Sequence, residues 1–158
     1  MRTTCALMAL WLSGCDAPRH APRTPLVDPS RLPLEVLPGS LAWCEWPSTA
    51  PIPQRLDPRA PLTIVIYAPE GRFVVTNDSS ITGGLECIER NLRAIRLVPT
   101  KRPIVGTLAT VTQTIAEAKA SVEVLTLAET DYFLLRAVDV NQALTALRRA
   151  GYPIRDVP

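Results

Sequence analysis

Apolar and polar positions along this chain change period several times, and each change marks an element. Leu62-Thr-Ile-Val-Ile-Tyr67 is an apolar, β-branched run, and Arg72-Phe-Val-Val-Thr76 is another. Ala68-Pro-Glu-Gly71 lies between them and carries turn residues. The pattern predicts a hairpin, with Gly71 at a positive-φ position. Asn77-Asp-Ser-Ser80 and Thr82-Gly-Gly84 then mark a loop leading to a helix start. Leu85, Ile88, Leu92 and Ile95 recur at three- and four-residue spacing, which predicts an amphipathic helix ending before Pro99. Glu86 with Arg90, and Glu89 with Arg93, stand at the i,i+4 spacing of helical ion pairs on the opposite side.

The run from Ile104 through Ile115 is rich in Thr, Val and Ile and reads as a strand. Residues 116–120 read as a turn or a single helical turn. Val122–Leu127 and Phe133–Val138 predict two further strands around Glu129-Thr-Asp131. Asp139 is placed to cap a helix over 140–150, with Gly151 as its stop. Tyr152–Val157 would add a last edge strand. The resulting order is ββαβ followed by ββαβ. That order predicts an α+β fold: a mostly antiparallel sheet with two helices on one face.

Ahead of these elements the periodicity disappears. Ten of the sixteen prolines fall in residues 16–60. Proline lacks the amide hydrogen and fixes φ, so that stretch cannot form a regular helix or a central strand. Residues 16–33 read as an extended spacer, and order begins near Leu34–Leu37 or at Trp43-Cys-Glu-Trp-Pro47. The two tryptophans around Cys44 read as core cover, or as an exposed pair for a partner or glycan. Charge is nearly balanced, with 17 Lys and Arg against 15 Asp and Glu. No basic stripe marks a nucleic-acid surface.

The first fifteen residues carry a separate signal. Met1-Arg2 is followed by the apolar run Cys5–Leu12, which falls short of the ~20 residues that cross a bilayer. Leu12-Ser13-Gly14-Cys15 then resembles the lipobox of bacterial lipoproteins. The resemblance implies a signal peptide over 1–14 and an acylated Cys15 anchoring the chain to the inner or outer membrane, facing the periplasm. Cys5 leaves with the signal, so Cys44 and Cys87 remain as the only pair in the exported part. An oxidising envelope lets them form a disulfide, or they stay as two buried thiols. The implied division is a tether over 15–42 and an α+β domain over 43–158.

Within residues 43–115, Cys44-Glu-Trp-Pro47, Glu70-Gly-Arg72, Ser79-Ser80 and Glu86-Cys-Ile-Glu-Arg90 resemble a TonB C-terminal-like domain. That likeness implies binding to another envelope protein by adding a strand to a sheet edge. In the remaining part, 116–158, Asp131–Asp139 and Ala150-Gly-Tyr-Pro-Ile154 resemble the second half of an ACT-type regulatory domain. This second likeness implies small-ligand sensing. A structural lipoprotein without a ligand is the third reading.

Catalytic chemistry has little to rest on. The one histidine, His20, sits in the spacer, and no CxxC, HExxH, P-loop or G-x-S-x-G stretch occurs. Asp78-Ser79-Ser80 reads as capping, Gly83-Gly84 as a helix entry, and Lys101-Arg102 as surface charge. Glu123, Glu129 and Asp131 read as solvated carboxylates. The expectation is a binding protein with no catalytic residue, no cofactor and no metal, whose partners are the membrane and an envelope protein; the oligomeric state is left open.

Overall fold

A computed structural model describes residues 26–47, 49, 60–81, 85–99, 104–128 and 130–157. It shows a mixed α+β fold built on one eight-stranded sheet. The strands are β1 (Leu34–Val36), β2 (Leu41–Trp46), β3 (Ile64–Ala68), β4 (Gly71–Asn77), β5 (Cys87–Leu97), β6 (Glu123–Leu127), β7 (Thr130–Arg136) and β8 (Ile154–Asp156); the helices are α1 (Thr107–Glu117) and α2 (Ala137–Arg149). All pairings are antiparallel except β1 with β8, which run parallel.

The eleven-residue β5 organises the sheet. On one side its C-terminal half pairs with β1 and its N-terminal half with β2. On the other side β7 covers Leu92 to Arg96 and is itself flanked by β6. The β3–β4 hairpin extends the sheet beyond β2, and β8 extends it beyond β1. Both helices lie on one face. Val111, Ile115, Ala143, Leu144 and Leu147 pack there with Leu34, Val36, Ile95, Phe133 and Leu135. The opposite face carries a second apolar cluster, formed by Leu41, Leu62, Val75, Leu92, Ala94 and Leu134, with no helical residue in it.

Two elements differ from the sequence-based expectation, and the ββαβ-ββαβ order is corrected with them. The helix expected over 85–95 is strand β5. Its apolar residues serve both faces: Leu92 and Ala94 one, Ile95 and Leu97 the other. Between Leu41↔Leu92 and Trp43↔Glu89 the register slips, so β5 carries an extra residue, and Asn91 takes φ 56° there. Such a bulge breaks the two-residue period and mimics helical spacing. The expected i,i+4 pairs are therefore not formed: Arg90 bonds Asp78 instead, and Arg93 donates to the Leu37 carbonyl.

The strand expected over 104–115 is helix α1. Its β-branched residues are turned to helical use. Val111 and Ile115 stand four apart in the core, while Thr110, Thr112 and Thr114 donate to carbonyls four residues back. Tertiary burial outweighs strand propensity at these positions.

Part of the segment expected as a tether, 15–42, is folded. Val27, Leu32, Leu34 and Val36 are core residues, so the folded unit includes 26–42. Asp28 opens it by capping a 3-10 turn over Pro29–Arg31, its carboxylate accepting from the Ser30 amide at 3.0 Å. Asp139, expected as a cap, is the third residue of α2; Arg136 precedes the helix and its Nε donates to Asp139 at 2.9 Å. The hairpin, β6, β7 and the Gly151 stop lie where the sequence placed them, within a few residues.

Both helices end in the same six-residue closure. In α2 the Tyr152 amide bonds the Leu147 carbonyl at 3.1 Å, with Gly151 at φ 95°. In α1 the Ala120 amide bonds the Ile115 carbonyl at 3.3 Å, but Lys119 occupies the left-handed position at φ 58°. A side chain there costs about 1 kcal/mol relative to glycine. Lys119→Gly should therefore raise the urea midpoint by an amount equivalent to about 1 kcal/mol. An unchanged midpoint would show that the lysine fits the turn without strain.

Candidate functional site

Because β7 ends at Arg136 opposite Leu92, residues 87–91 of β5 have β2 on one side and no strand among the described residues on the other. Next to this opening the sheet face without helices forms a recess of about 320 Å³. The registers set its walls side by side: Trp43 beside Glu89, Leu92 beside Arg136, and Leu134 beside Glu123. Leu92 and Leu134 are buried and form an apolar floor. The Trp43 Nε1 is buried without a hydrogen-bond partner among the described residues. Glu89 and Glu123 are exposed at the rim, and the Arg136 guanidinium is held by Asp139 at 2.8 Å. An apolar floor with charges of both signs around it suits a small polar molecule.

A second, larger depression of about 750 Å³ runs between α1 and α2 and ends at Ala150, next to Gly151. Its polar groups are mostly committed to the helices themselves. Thr110, Thr114 and Thr145 each donate to the carbonyl four residues earlier, at 2.9, 3.0 and 2.8 Å. Gln113 Nε2 bonds Glu117 at 2.9 Å. Beneath the helices, burial pushes the Tyr152 phenol up from its ordinary pKa, and the neighbouring Thr114 hydroxyl acts the other way. With its hydroxyls satisfied, this groove offers a ligand less than the recess does.

One charged group is deeply buried. Glu35, 3% exposed, stands between Arg96 of β5 and Arg155 of β8 in the registers of β1. Both arginines bond its carboxylate, Arg155 Nε at 2.6 Å. Burial alone would raise the Glu35 pKa; the bonds from Arg96 and then Arg155 outweigh it and hold the carboxyl below its ordinary value. Arg96 is shifted the opposite way, chiefly by the same bond. The trio fastens β1 between its neighbours. Nothing in the local sequence flags Glu35, because its partners lie 61 and 120 residues away.

The sequence-derived candidates fall in separate places. Cys44 and Cys87 are bonded, and they are directly opposed partners in β2 and β5. The bond therefore crosses between neighbouring strands; the sequence reading placed Cys87 on a helix. Asp78 pairs with Arg90, and the Asn77 side chain caps the 3-10 turn Asp78–Ser80. Asp131 accepts from Thr126 at 2.6 Å. Cys5, Cys15, His20, Gly83-Gly84, Lys101-Arg102 and Glu129 lie outside the described residues. Trp43 and Trp46, read from sequence as core cover, are partly buried and pack against apolar clusters, and Trp43 also lines the recess. Among the described residues no cluster of three or more His, Cys, Asp or Glu could hold a metal. Among the same residues no helix is long and apolar enough to cross a membrane.

No protein-family model matches the sequence, and no curated protein matches it. Solved structures do share the fold. Protein Atu0741 from Agobacterium tumefaciens superposes with a TM-score of 0.71 at 16% identity, over 80% of this chain and 94% of that one. Protein VC0802 from Vibrio cholerae, of unknown function and described as a possible transport protein, gives 0.63 at 22% identity, over 78% and 93%. Aspartate kinase from Clostridium acetobutylicum, described as an allosteric enzyme, gives 0.51 at 9% identity, over 75% of this chain and 33% of the kinase. These likenesses concern the fold. The segment β5-α1-β6-β7-α2-β8 has the βαββαβ order, and β1 to β4 build a second, helix-free part on the same central strand.

Proposed function

We propose that this chain is a lipid-anchored regulatory module of the cell envelope that binds a small polar ligand in the recess beside Trp43. The observation that carries this reading is the recess itself: an apolar floor of Leu92 and Leu134, Trp43 in its wall, and charges of both signs around it. Support comes from the βαββαβ segment, which agrees with the ACT-like likeness of residues 121–158, and from the fold shared with a kinase described as allosteric. The anchor rests on Leu12-Ser13-Gly14-Cys15, and the module acts by binding, without catalysis.

Thermal unfolding of the chain with each of the common amino acids, supplied one at a time, tests the reading. A ligand present at a hundred times its Kd stabilises by about 2.7 kcal/mol. At least one compound should raise the Tm, and Trp43→Phe, which reshapes the recess wall, should weaken that rise. Equal Tm values across the set would overturn the proposal.

A second reading is favoured by one further observation. The edge strand β3, Ile64-Val-Ile-Tyr-Ala68, carries no charge, and Tyr67 is exposed. Natural edge strands are usually protected by charges or prolines, so this edge is suited to take a strand from a partner, as in a TonB-like adaptor.

A further inference from the structure

We propose that the α1 end of the domain docks on the membrane that carries its anchor, with Leu26, Val105 and Leu108 touching the lipid. The inference rests on the lipobox reading of Cys15. These are three of the seven large apolar side chains exposed among the described residues, at 74%, 94% and 40%. They form one patch because Leu26 lies across Gly106: a Cβ added to Gly106 would stand 2.8 Å from that of Leu26. Gly106 also takes φ 86° to start α1, so both its conformation and the close approach require glycine. The sequence around the patch is unusually uncharged. From Ile104 through Ala116 there is no Asp, Glu, Lys or Arg, and exposed positions of α1 such as Leu108, Ala109 and Ala116 are apolar.

The position of the anchor selects a lipid surface as the occupant. Ten residues separate Cys15 from Leu26, a span of roughly 35 Å when fully extended. The described chain therefore begins inside the patch, a short distance from the acylated cysteine. Arg19, Arg23, Lys101 and Arg102 flank it in the sequence, against Asp16 alone in 16–25. Cationic side chains beside an apolar patch suit the anionic headgroups of a bilayer. Val138, 81% exposed, is the natural control. It starts α2 just past Arg136, which is registered with Leu92, whereas α1 follows the far end of β5.

The test uses the full chain, expressed so that it can be acylated and reconstituted in vesicles of phosphatidylcholine and phosphatidylglycerol. Tryptophan is introduced by Val105→Trp or, separately, by Val138→Trp, and its added emission is read against the parent. Brominated lipid should quench the Val105→Trp signal severalfold more than the Val138→Trp signal, with a blue shift at the first site only. Equal quenching at the two sites on a chain whose Cys15 carries its acyl mass would overturn the docking while leaving the anchor intact. A blue shift without quenching would assign the patch to a second copy or another protein, and would also overturn it. Absence of acyl mass on Cys15 would remove the anchor reading and the docking together.

Discussion

Opening the Cys44–Cys87 bond should lower the unfolding free energy by about 4 kcal/mol. The two cysteines are 43 residues apart, and the loss of loop-closure entropy in the unfolded chain gives a stabilisation on the order of 4 kcal/mol for a loop of that length. The loop contains β3, β4 and the chain up to β5, so the bond ties the hairpin to the central strand. Urea unfolding with and without reductant measures the effect, and a Cys44→Ala/Cys87→Ala variant separates it from chemical side reactions. Peptide mapping without reductant should recover the two cysteines joined. A loss below about 1 kcal/mol would show that the direct pairing of β2 with β5 already constrains the reduced chain.

The second large effect belongs to Glu35. Its carboxylate is buried while Arg96 and Arg155 reach solvent with 39% and 69% of their side chains exposed. Removing an arginine therefore leaves a buried charge short of a partner, whereas removing the glutamate frees arginines that water can solvate. Arg96→Leu should cost about 3 kcal/mol, near the lower bound for breaking a buried pair, and Glu35→Leu distinctly less. The double variant should be more stable than Arg96→Leu alone, since it removes the stranded charge. The pH dependence follows from the depressed Glu35 pKa. A carboxyl whose folded pKa is lowered stabilises fully above its unfolded value, ordinarily 4.5 for this group, and loses that contribution as pH falls through the lower folded value. The parent should thus lose more stability below pH 4.5 than Glu35→Leu does. Parallel acid-unfolding curves for the two would contradict the assignment.

The parts of the fold that were legible in the sequence are those governed by local rules. The β3–β4 hairpin is set by two apolar runs around turn residues, and α2 by its Gly151 stop, although the expected cap Asp139 lies inside the helix. What was misread depended on distant partners. β5 is buried on both faces only from Leu92 onward and is bulged at Asn91, so its apolar spacing imitated a helix. The threonines of α1 favour a strand until Val111 and Ile115 are given a core to enter. β1 is three residues long and follows a proline-rich stretch, so only its long-range pairing identifies it. The disulfide was one of two readings of Cys44 and Cys87, and the bond joins them. The recess was not, because Trp43, Leu92, Glu123 and Leu134 meet only when four strands are in register.

The parallel pairing of β1 with β8 places the first described strand against the last, Leu34 opposite Ile154. A chain growing from its N-terminus makes β1 early and cannot give it this neighbour until β8 has been made. Glu35 waits for Arg155 over the same interval, holding a charge that has only Arg96 available. A nascent chain that has not yet made β8 would therefore expose β1 as an open edge.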